Sequence, residues 1–143
     1  MQSQRNTLFE WLEQLSERRH CPLRIKDTNT ATLRTEEGLI FEFECRPLVD
    51  MLTVRVHLDP YPWIHPERLC RAALTFDRHA LQRIDAVLAV KQPTSTLVLC
   101  YNPRLSNLSK DIFDRIVAYL EQLSHDINSH LDKELAGPTT SAA

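Results

Sequence analysis

From Leu39 to Cys45 the chain alternates. Leu39, Phe41, Phe43 and Cys45 fall on one side, and Ile40, Glu42 and Glu44 fall on the other. Period two predicts a strand with one buried face. After the break at Arg46-Pro47, Met51–Leu58 alternates again, with Leu52, Val54, Val56 and Leu58 opposite Thr53, Arg55 and His57. Upstream, Leu23–Lys26 and Ala31–Arg34 surround a polar run, Asp27–Thr30. That pattern gives one short strand, or two half-strands with a turn between them. Glu36-Glu37-Gly38 is a turn, so the simplest arrangement of this half is a three-strand antiparallel meander.

Helical periods frame these strands. Leu8, Trp11, Leu12 and Leu15 form one face of a helix that ends near Arg19, and Thr7 with Glu10 reads as a capping box at its start. Phe9 lies off that stripe, either as a rim residue or as a contact for a partner. Pro66–Phe76 reads as a second helix, with Pro66 in its first turn. Leu69, Ala73 and Phe76 share one stripe, Cys70 and Leu74 a neighbouring one, and Ala72 fills the gap. A helix apolar over so much of its girth must be covered on more than one side: either it lies deep in its own domain, or a second chain covers part of it, and a homodimer interface containing Leu69, Ala72, Ala73 and Phe76 is expected. The helix runs on toward His79 before the chain turns. Ala86–Lys91 and Thr96–Tyr101 flank Gln92–Ser95 and predict a hairpin.

Asn107 or Ser109 caps a long last helix that runs to about Leu135. Its stripe is Ile112, Ile116, Leu120, Leu123, Ile127 and Leu131, widened by Phe113 and Val117. Asp111, Glu121, His125 and Asn128 make its solvated face. Gly137 and Pro138 stop it, and residues 137–143 are expected to be a disordered tail. The sum is one α+β domain over residues 1–136, in the order α-β-β-β-α-β-β-α, an antiparallel sheet flanked by helices.

Composition narrows the function. Seventeen basic and nineteen acidic residues give a formal charge of -2, which offers no electrostatic case for nucleic acid. Two glycines in 143 residues leave no phosphate-cradling loop, so no nucleotide cofactor is expected. No apolar run approaches the ~20 residues of a membrane span. The opening MQSQRNTLFEWLEQ lacks the apolar core of a signal peptide. The expected location is cytoplasmic. Cys21, Cys45, Cys70 and Cys100 are widely spaced with no C-x-x-C pair, which favours buried small side chains over a metal site with His20, His57 or His65. His57, His65 and His79 stand near no recognisable nucleophile, so no catalytic residue is assigned and no enzyme activity is expected.

The loop Asp59–His65, DPYPWIH, holds Tyr61 and Trp63 between prolines. It is a rigid connector with its aromatics tucked in, or a recognition surface. With Phe41 and Phe43 facing the core, Ile40 is left on the outer face among acids. Phe9 and Ile40 are therefore the first candidates for binding a partner, and Tyr61 and Trp63 the next. Carboxylates around an apolar spot suit a partner carrying apolar and basic residues.

The opener TLFEWLEQL, the strand LIFEFEC, the apolar middle helix PERLCRAAL, and the ending LVLCYNP with DIFDRIVAYLEQL cover nearly the whole chain. Together they resemble the small class I chaperones of bacterial type III secretion, the Tir-chaperone-like family. The resemblance implies a homodimer paired through the middle helix and a neighbouring strand, with no catalysis and no nucleotide. It also implies a partner, the N-terminal segment of a secreted effector, held in extended form by strand addition and apolar pockets. A regulator on the same scaffold, binding another secretion or transcription protein, is the alternative.

Overall fold

The computed structural model describes residues 2–91 and 96–136. Helix α1 (Gln2–Arg19) is followed by strands β1 (Leu23–Ile25), β2 (Thr30–Arg34), β3 (Ile40–Arg46) and β4 (Met51–Pro60). Helices α2 (Pro66–Leu74) and α3 (Arg78–Gln82) precede β5 (Val87–Lys91), β6 (Thr96–Tyr101) and the closing helix α4 (Lys110–Ala136). The strands form one antiparallel sheet in the order β1-β2-β3-β4-β6-β5. The architecture is the expected α+β one. The expected tail and the hairpin loop Gln92–Ser95 lie outside the described residues.

The alternating strands bury the predicted face. Phe41, Phe43, Val56 and Leu52 are fully buried, as are Leu8 and Leu12 of α1 and Phe113, Leu120 and Ile127 of α4. The sheet face and the helices α1, α2 and α4 contribute to one continuous core. Phe113 sits at its centre, with ring centroids 5.8 Å from Trp11 and 5.7 Å from Phe43.

Several local expectations are corrected. Before Gly38 the second of the two expected forms is present, two strands with a turn between them, because Asp27 accepts the Asn29 N–H at 2.8 Å and closes the turn that pairs β1 with β2; this half therefore holds four strands and not a three-strand meander. Gly38, at φ +92, closes the β2–β3 turn in the left-handed region that favours glycine. Helix α1 starts at Gln2, so Thr7 and Glu10 lie inside it and form no capping box. Residues 2–6 hold no helix breaker, and Arg5 anchors the extra turn by donating to the Thr28 carbonyl. The helix stops at His20, which at φ 54 lets Cys21 N–H donate to Ser16 O and His20 N–H to Glu17 O, a Schellman ending. Helix α2 ends at Leu74, because the Thr75 hydroxyl donates back to Ala72 O and Asp77 caps a separate helix, α3.

The long helix is capped by Ser109, whose hydroxyl accepts the Ile112 N–H at 3.2 Å. Its expected stripe is buried at Leu120, Leu123, Ile127 and Leu131, with Ile116 half-buried, and departs only in the first turn. Ile112 is 42% exposed, while Phe113 and Val117 carry the buried line. Asn128, expected in solvent, is buried and accepts the Asp59 N–H at 3.2 Å. This satisfies a backbone donor next to the irregularity where β4 shifts register between His57 and Pro60.

Candidate partner-binding surfaces

Three surfaces hold the residues singled out in the sequence. The first is an apolar groove between α2, α3 and β5, with a volume of about 410 Å³. Ala73 and Phe76 line it, together with Cys70, Leu74, Leu81 and Val87. Leu74 is 76% exposed and Val87 59% exposed, both large apolar side chains open to water. The four residues expected at an interface divide here. Ala73 and Phe76 face the groove, whereas Leu69 and Ala72 are buried in the subunit's own core. The groove walls are held from behind. Tyr119 donates to Ala80 O at 2.8 Å and fixes α3 to α4. His130 Nε2 lies 3.0 Å from Ala72 O and 2.7 Å from Thr75 Oγ1, and its ring meets Phe76 edge-on. Cys70 is exposed, against the expectation of four buried cysteines, because the groove wall it occupies has no covering element.

The second surface is the outer face of the sheet. A groove of about 460 Å³ there is lined by Ile40, Glu42, His57, Lys26, Lys91 and Thr96, among others. Ile40 is half-buried on it, as the alternation predicts. The carboxylates beside it are not open. Glu42 is met by Lys26 at 3.3 Å and by Arg55 and His57 at 3.5 Å. Glu44 is met by Arg55 at 2.9 Å and Arg46 at 3.6 Å. Burial works to raise the Glu42 carboxyl, but the surrounding cations outweigh it and hold the group below its ordinary range.

The third is the loop between β4 and α2. Trp63 is 76% exposed. Tyr61 packs inward, and its hydroxyl donates to Asp132 of α4. Burial and then that carboxylate push its hydroxyl well above the ordinary tyrosine range. The rings meet edge-on at 6.1 Å, so a fixed Tyr61 props an exposed Trp63. Phe9 belongs to no such surface in this conformation. It is buried in the core with the Arg5 guanidinium 4.3 Å over its ring. Among the described residues, no group of three or more His, Cys, Asp or Glu is placed to hold a metal ion, and no helix is long and apolar enough to cross a membrane.

Neither protein-family profiles nor curated proteins give a match to this sequence. Solved structures do match the fold. A chain of the ExsC–ExsE complex superposes with a TM-score of 0.72 at 17% identity, over 89% of this chain and 95% of that one. A chain of the HopA1–SchA chaperone–effector complex gives 0.62 at 17% identity, over 85% and 93%. An uncharacterized protein from Methanothermobacter thermautotrophicus gives 0.66 at 12% identity, over 91% and 97%. The fold is therefore one that occurs in a chaperone–effector complex.

Proposed function

We propose that this protein is a cytoplasmic chaperone of bacterial type III secretion. In this reading it binds the N-terminal segment of a secreted effector in extended form and keeps that segment competent for export. It carries out no chemistry of its own. The observation that carries the reading is the match of nearly the whole chain to the fold present in the HopA1–SchA chaperone–effector complex. The surfaces support it. The groove between α2, α3 and β5 exposes apolar side chains that a second copy of the chain would cover, making the homodimer. Ile40 on the sheet face and Trp63 on its propped loop remain accessible for the partner.

The test is purification of the tagged chain from its native host, with retained proteins identified by mass spectrometry and probed by limited proteolysis. The reading expects one secreted protein whose N-terminal segment is protected while bound. A retained transcription or secretion regulator instead would establish the regulatory alternative. A retained partner that binds only through a folded domain would contradict both.

A further inference from the structure

The sheet pairing assembles a charge pattern on the outer face that no single strand displays. One row across the strands reads Arg24, Thr32, Glu42, Arg55, Cys100 and Val87. The adjacent row reads Arg34, Ile40, His57, Val98 and Ala89. Strand alternation and the ion pairs place six basic side chains on this face: Arg24, Lys26, Arg34, Arg46, Arg55 and Lys91. Among the described residues, the carboxylates paired within its ladders are Glu42 and Glu44, with Asp27 in the turn at its rim and Asp59 beside the register shift at the end of β4. Yet the chain as a whole has a formal charge of -2. The positive charge is therefore concentrated on one face, and the excess of acid lies on the rest of the molecule.

The two carboxylates already have Lys26, Arg46, Arg55 and His57 around them. Arg24 and Arg34 are different: both are exposed, and among the described residues neither enters an ion pair. They are diagonal neighbours on paired strands, about 7–8 Å apart at the backbone by sheet geometry. Arg34 stands directly opposite Ile40. Two uncompensated guanidiniums repel each other, and a carboxylate between them relieves that repulsion and takes directional hydrogen bonds from both. Ile40 beside them offers contact to an apolar side chain.

We infer that this face takes an acidic, apolar-containing polypeptide segment, with a carboxylate between Arg24 and Arg34 and an apolar side chain on Ile40. This rests on the partner-binding reading above and gives the partner a charge sign opposite to the one that Glu42 and Glu44 suggest in the linear sequence. A nucleic acid fits less well, since its phosphates would also meet Glu42 and Glu44 and would leave Ile40 unused.

The test uses two fluorescent peptides of about ten residues, enough at ~3.3 Å per residue to cross the sheet. One alternates valine with glutamate and the other valine with lysine. Binding to the full chain is followed by anisotropy, with oligo-dT as competitor. The glutamate peptide is expected to bind at least about tenfold more tightly than the lysine peptide. The double variant Arg24→Glu with Arg34→Glu, sites free of ion pairs, should reverse that order while circular dichroism stays unchanged. If the variant misfolds, Arg34→Gln alone should still narrow the preference. Equal binding of the two peptides, no binding of either, or an unchanged preference in the variants would overturn the inference. Displacement of the glutamate peptide by oligo-dT at comparable concentration would assign the face to nucleic acid. Capture of a secreted effector alongside equal peptide binding would keep the chaperone reading and remove only this one.

Discussion

Helices α2 and α4 contribute to the same core but use their apolar residues differently. The apolar line of α4, from Phe113 through Val117, Leu120 and Ile127 to Leu131, is buried inside the subunit. Its opposite side is occupied by short polar links, such as Glu121 to Arg19 at 2.7 Å and His125 to Glu37 at 2.8 Å. Helix α2 buries Leu69 and Ala72 against that core, yet it leaves Leu74 76% exposed and Cys70 in the open wall of a groove. Apart from Ile112, the apolar residues of α4 are accounted for by folding. Those of α2 are accounted for only in part, and the remainder is open to water.

The largest effect belongs to α4. Phe113→Ala removes a fully buried ring that touches Trp11 and Phe43, and should cost about 3–5 kcal/mol in urea unfolding. A loss below ~1 kcal/mol would mean that this helix is not the core the comparison takes it to be. Leu74→Glu on α2 is expected to do the reverse. Subunit stability should change by no more than ~0.5 kcal/mol, as at an exposed site, while self-association weakens by at least ~2 kcal/mol, as for an interface hot spot. Sedimentation across a dilution series measures the second quantity. Unfolding of the variant would show that Leu74 serves the subunit after all.

A middling effect separates the two sides of α4. Asn128→Ala leaves the Asp59 N–H without its acceptor and should cost about 1–3 kcal/mol. Asp126→Ala, at an exposed position on the same helix, should stay within ~0.5 kcal/mol. Equal losses would contradict a buried role for Asn128.

The smallest effect lies away from both helices. Ser106 donates its hydroxyl to Asp50 at 2.6 Å and its N–H at 2.9 Å, and these bonds hold the Asp50 carboxyl below its ordinary range. A depressed carboxylate stabilises above its unfolded pKa, ~3.9, and that contribution fades as pH falls through the folded value. Protection of the Ser106 amide, relative to its intrinsic exchange rate at each pH, should therefore fall as pH drops below the ordinary carboxylate range in the wild type. In Asp50→Ala, which leaves no acceptor, that protection should already be low at neutral pH. Unchanged protection in the variant would remove Asp50 from this role.

Much of this architecture follows from periodicity. The alternation in Leu39–Cys45 and Met51–Leu58 identified both central strands and their buried faces, because one strand's pattern needs no knowledge of its neighbours. The closing helix is readable for the same reason, except in its first turn, where Ile112 is exposed and Phe113 carries the buried line. What the linear chain hid was everything decided by pairing. Next to Ile40 the sequence shows only Glu42 and Glu44. Lys26, just past β1, and Arg34 and Arg55, from the two strands beside β3, change the sign of the face once the register is set. The linear sequence leaves Phe9 between rim and partner contact because Arg5, which covers its ring, is four residues away and becomes its neighbour only in a helix that starts at Gln2. Asn128 was assigned to solvent because the donor it serves, Asp59, lies on a strand far away in sequence.

The claim that ties the fold to its use is that the groove between α2, α3 and β5 is closed by a second copy of the chain. Light scattering of the purified wild type at micromolar concentration measures this directly. The account predicts a mass twice the 16.6 kDa of one chain, with Leu74→Glu returning to a single-chain mass while still folded. A folded wild type of 16.6 kDa under the same conditions would contradict it.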